Sequence, residues 1–128
     1  MPPKAHSPED AGEWLARARS NLIQAKAEQP GVYLEDLCFQ AQQAAEKALK
    51  GLLLHRGTSF PRVHDLARLV TLLENDGEEV PKEIREVVRL NGYAVEARYP
   101  GVSEPVSPEE YAEALRITEE TLQWVAAR

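Results

Sequence analysis

The stretch from Val32 to Arg56 restricts the fold more than any other part of the chain. Leu34, Leu37, Cys38, Ala41, Ala45, Ala48 and Leu52 recur there at three- and four-residue steps, the spacing that lines one face of an α-helix. Gly57 follows as a C-terminal cap. Ala41, Ala44, Ala45 and Ala48 add almost no bulk to that helix, so a neighbouring helix can approach its backbone closely. A chain centred on such an element must cover it with further helices.

Those helices are legible on either side. Ser7-Pro8-Glu9-Asp10 offers a hydroxyl cap, a proline at the first helical position and acids over the first turn. Ala11, Trp14, Leu15, Ala18, Leu22 and Ala25 then form a stripe that Pro30-Gly31 ends. A shorter helix is expected from about Asp65 to Glu74, with Leu66, Leu69, Val70 and Leu73 inward. Pro81 opens the next, in which Ile84, Val87, Val88, Asn91 and Val95 keep helical spacing as far as Tyr99-Pro100-Gly101. Ser107-Pro108-Glu109-Glu110 starts the last helix with a capping box, and Tyr111, Ala114, Leu115, Thr118, Leu122 and Val125 give it a buried face. No stretch alternates like a strand, so the expected fold is all-α: an up-and-down bundle of four to five helices forming a single domain over residues 1–128.

The balance of charge narrows the function. A net charge of −6 opposes wrapping of duplex DNA, whose affinity comes largely from Lys and Arg on phosphates. No apolar run reaches the roughly 18 residues of a membrane span, and Met-Pro-Pro-Lys-Ala-His is not a secretory leader. Cys38 is the single cysteine and falls in an apolar pattern, which reads as a buried thiol in a reducing cytoplasm. His6, His55 and His64 lack ligand spacing, so no metal site is expected, and the glycine-rich loops that hold dinucleotides or triphosphates are absent from the sequence.

Three polar features remain. The first is Gln40-Ala41-Gln42-Gln43-Ala44-Ala45-Glu46-Lys47-Ala48-Leu49-Lys50, which sets Gln43, Glu46, Lys47 and Lys50 on one helical face. Pattern alone reads this as a solvated face with a Glu46–Lys50 pair contributing roughly 0.2–0.5 kcal/mol. The second is His64-Asp65, where His64 is expected in the turn, capping the following helix or bonding to Asp65. The third is Arg98-Tyr99-Pro100-Gly101, whose guanidinium and ring suit a phosphate and a base; Arg98 equally suits its own helix's last carbonyls, and Tyr99 suits packing on the bundle.

In this order, Ala18-Arg19-Ser20-Asn21-Leu22, the run from Phe39 to Lys50, Val63-His64-Asp65-Leu66 and Arg98-Tyr99-Pro100 resemble the HEPN domain family, named for higher eukaryotes and prokaryotes nucleotide-binding. The resemblance covers roughly Glu13 to Trp124. It implies a helical bundle, frequent dimerisation and a link to nucleotides or RNA. Many bacterial members resemble companions of a separately encoded minimal nucleotidyltransferase, paired as toxin and antitoxin. Others resemble metal-independent ribonucleases that use an Arg followed, after four to six residues, by a His, a pair suited to proton transfer from a ribose hydroxyl and to phosphorane stabilisation. The present chain departs from that motif, because Tyr99 to Glu104 contains no histidine.

The resulting expectation is a nucleotide-binding or partner-binding module that needs no cofactor and is not catalytic alone. Lys47, Lys50, His64, Arg98 and Tyr99 are its nucleotide contacts, and its partners are a minimal nucleotidyltransferase, nucleotide or RNA and a second copy of itself. The alternatives are a ribonuclease toxin with His64 as proton carrier, and a non-catalytic dimeric scaffold.

Overall fold

The computed structural model describes residues 10–60, 62–96 and 105–128. Every regular element among them is helical: α1 Ala11–Ala25, α2 Leu34–His55, α3 Leu66–Asn75, α4 Lys82–Arg85 followed by a 3-10 turn Glu86–Leu90, α5 Tyr93–Glu96 and α6 Pro108–Ala126. The protein is the all-α, up-and-down helical bundle that the periodicities predict.

Local chemistry sets most of the boundaries. Ser107 accepts a hydrogen bond from the Glu110 amide while the Glu110 carboxylate accepts from the Ser107 amide, both at 3.1 Å, so the expected capping box starts α6. At the end of α2, the Thr58 amide reaches the Leu53 carbonyl and the Gly57 amide reaches Leu54, both at 2.9 Å. This Schellman closure requires the left-handed backbone that Gly57 adopts at φ +79°. α1 differs from expectation. Its N-cap is Asp10, which accepts from the Gly12 and Glu13 amides, while Ser7 lies outside the described residues. A carboxylate does this task as well as a hydroxyl and adds its charge to the helix dipole.

The expected single helix from Pro81 to Tyr99 is a second correction. It is divided into α4, the 3-10 turn and α5, with Asn91 and Gly92 at the break. Asn91, which its spacing placed on the apolar face, instead makes polar contacts. It accepts the Leu66 amide at 2.8 Å and donates to Asp65 at 2.9 Å, fastening this segment to the start of α3.

α2 is the central element, packed most extensively against α1 and then α6. Ala41, Ala44, Ala45 and Ala48 are wholly buried, as are Ala18 and Ala25 on α1. Close approach also involves Gly51, where a methyl group would stand 3.1 Å from Trp14 Cβ and 3.3 Å from the Ala11 carbonyl oxygen. Leu66, Leu69, Leu73, Val87 and Leu90 close the other side of the core. At one end, buried Glu78 takes Arg56 Nη1 at 2.6 Å and Arg128 Nε at 2.7 Å, joining the end of α2 to the chain beyond α6.

Candidate functional site

The polar residues of α2 do not form a solvated face. Glu46 and Lys50 are only 3% and 6% exposed, which overturns the reading drawn from pattern alone. An i, i+4 spacing pairs them whether or not they are buried; burial is decided by what lies above them, and here α1 and the loop after α2 supply the cover. The Lys50 ammonium lies 5.8 Å from the ring centre of Trp14 on α1 and 5.4 Å from that of Phe60 in the loop. The two rings meet edge to face at 5.8 Å.

Glu46 is the hub. Its Oε1 accepts from Gln42 Nε2 at 3.1 Å, and its Oε2 receives Lys50 Nζ and His64 Nδ1, each at 3.0 Å. Burial by itself raises the Glu46 pKa, yet hydrogen bonds from His64, Lys50 and Gln42 outweigh it and hold the carboxyl below the usual glutamate range. The ionised carboxylate can only accept, so His64 carries its proton on Nδ1. The His64 ring is 76% exposed, and Asp65, not His64, caps α3 through the Ala67 amide. His64 therefore answers to a residue 18 positions earlier on α2 rather than to its neighbour.

Lys47 stands on the next stretch of the same helix, half-buried, and donates to Asn21 Oδ1 at 2.8 Å; Asn21 in turn donates to Gln40 Oε1 at 2.7 Å. Its pKa is lowered, first by desolvation and then by the positive charge of Arg17. The structure thus joins Lys50 and His64 through Glu46 and ties Lys47 to α1. Arg98 and Tyr99 lie outside the described residues. Sequence reasoning missed Trp14, Phe60, Asn21 and Gln42 as members of these networks. Only Gln42, four residues before Glu46, carried a local signal of its role.

A cleft of about 530 Å³ is lined by Leu52, His55, Arg56, Glu78, Ala127 and Arg128 and includes none of the candidate residues. Arg56 is held there by Asp76 and Glu78, and Arg128 by Glu78, so its charges are already matched. Among the described residues no group of three or more His, Cys, Asp or Glu side chains is placed to hold a metal ion, and no helix is long and apolar enough to cross a membrane.

The order of the helices agrees with what known proteins show. The HEPN domain model matches residues 11–128, and the chain belongs to the HEPN domain family. It is similar to TT1696 from Thermus thermophilus, whose crystal structure has a TM-score of 0.79 at 35% identity, over 93% of this chain and 98% of that one. It is also similar to ST0689, an archaeal HEPN homologue, with a TM-score of 0.70 at 29% identity over 91% of this chain and 95% of that one. No curated protein matches the chain.

Proposed function

We propose that the protein is a nucleotide-binding HEPN module that acts in the cytoplasm as a homodimer, beside a minimal nucleotidyltransferase in a toxin–antitoxin-like pair. The observation that carries this reading is His64: an exposed imidazole anchored at Nδ1 by a buried carboxylate whose charge Lys50 already balances. A protein gains nothing in stability from burying an ion pair that a pair of apolar side chains would replace, whereas a binding surface gains a fixed polar group. His64 and Lys47 supply polar contacts, Arg98 takes the phosphates and Tyr99 stacks the base. Lys50, enclosed by Trp14 and Phe60, serves by holding Glu46. The partner chain supplies metal and chemistry.

Calorimetric titration of the full chain with ATP, GTP and short RNA, with Arg98→Ala and His64→Ala alongside, tests this. Saturable binding that both variants weaken, with the RNA intact, is expected. Failure to bind any nucleotide, together with failure to copurify with a nucleotidyltransferase, would refute it. The anchored His64 also favours a second reading, a metal-independent ribonuclease in which His64 moves the ribose proton and Arg98 stabilises the charged phosphorane. That reading requires RNA cleavage by the wild type, lost in both variants.

A further inference from the structure

We propose that Glu46 and His64 form a hydroxyl-recognising dyad: Glu46 is a positioning residue that fixes the proton on His64 Nδ1, and His64 Nε2 accepts a hydrogen bond from a ribose hydroxyl of the bound nucleotide. This inference rests on the nucleotide-binding reading and adds to it which part of the ligand the site selects.

The argument is one of donors and acceptors. Glu46 and Lys50 cancel each other's charge at 3.0 Å, so His64 completes the cluster with a hydrogen bond and the cluster asks for no further positive charge. With Nδ1–H spent on Oε2, neutral imidazole has one remaining polar atom, Nε2, and that atom can only accept. Glu46 cannot turn away from this role, because Gln42 holds its other oxygen. A phosphate or carboxylate oxygen offers Nε2 no proton, whereas a sugar hydroxyl or a base amine does, and analogues that lack only the hydroxyls separate these two. The exposure of the ring leaves it open to a ligand in solution.

The test is titration of the full-length protein at about pH 8, above the ordinary imidazole range, with ATP, 2′-deoxy-ATP, 3′-deoxy-ATP and 2′,3′-dideoxy-ATP. Nitrogen-15 spectra of the histidine rings are recorded in parallel. Wild type should bind ATP about three- to tenfold more tightly than the dideoxy analogue, the worth of one net hydrogen bond. His64→Phe should erase that preference, and the neutral His64 ring should be found as the Nδ1–H tautomer, becoming a mixture of tautomers in Glu46→Gln. Should Glu46→Gln fail to fold, because it leaves Lys50 buried without a counter-ion, His64→Phe at its exposed position still decides the matter. Equal binding of ATP and its dideoxy analogue by wild type, or an Nε2–H tautomer, overturns the dyad while leaving nucleotide binding intact. Absence of any ATP binding instead refutes the reading on which the dyad rests.

Discussion

The hydroxyl of Tyr111 donates a 2.5 Å hydrogen bond to the backbone carbonyl of Ala25, tying the first turn of α6 to the last residue of α1 across 86 positions of chain. The final carbonyls of a helix have no partner within it, and Ala25 is wholly buried, so this phenol meets a requirement that water cannot. Tyr111→Phe should lower stability by about 1–2 kcal/mol, the cost of an orphaned buried acceptor. Chemical denaturation with an unchanged m-value checks this.

The Glu46–Lys50 pair should be costly to break and cheap to replace. Lys50→Met strands a buried carboxylate and should cost about 3–5 kcal/mol, while Glu46→Leu combined with Lys50→Met should come close to wild type. A double-mutant cycle measures both. The pair also gives stability a pH dependence. Because the folded Glu46 pKa lies below the unfolded value, its contribution is complete above about pH 4.5 and is lost as pH falls through the folded pKa. Stability curves from about pH 5 to 2 should therefore fall less steeply for the apolar double variant than for wild type.

Gly51→Ala sets helix propensity against sterics. Alanine in the middle of α2 would ordinarily gain about 1 kcal/mol. Its methyl would sit 3.1 Å from Trp14 Cβ and 3.3 Å from the Ala11 carbonyl, atoms near or in the backbone of α1 that cannot rotate aside. The clash should prevail and lower the Tm, with Trp14 fluorescence reporting the displacement of α1.

Cys38 should be inert in the folded protein. It is wholly buried, and burial pushes its thiol up to about 12. A thiol reagent at about pH 8 should label it only as fast as the protein opens. Labelling of native protein within seconds would contradict this placement.

How far the sequence could be read depended on the range of the interactions involved. The Ser107 capping box and the Gly57 closure are complete within a few residues, and both are as the letters suggest. The inward stripes of α2 and α3 follow likewise from spacing. The break did carry a local signal, since Asn91-Gly92 is a turn-forming pair; what no local pattern shows is that Asn91 bonds to Asp65 and Leu66, 26 and 25 positions away. The cluster at Glu46 was half visible. Its pairing with Lys50 is written in α2, but its burial depends on Trp14 and Phe60, and its link to His64 depends on how a loop returns to the helix. Composition in one helix cannot announce a roof built from elsewhere.

The alanines of α2 bear on the order of the molecule as well as its packing. A methyl group has no rotamers to lose, so Ala41, Ala44, Ala45 and Ala48 are buried without the side-chain entropy that leucines in the same places would forfeit. A side chain with a single rotamer also adds no alternative arrangement of its own to the packed face. The stem that carries Glu46 is consequently a stiff mount, and a single ring fastened to it inherits that stiffness even where it meets solvent.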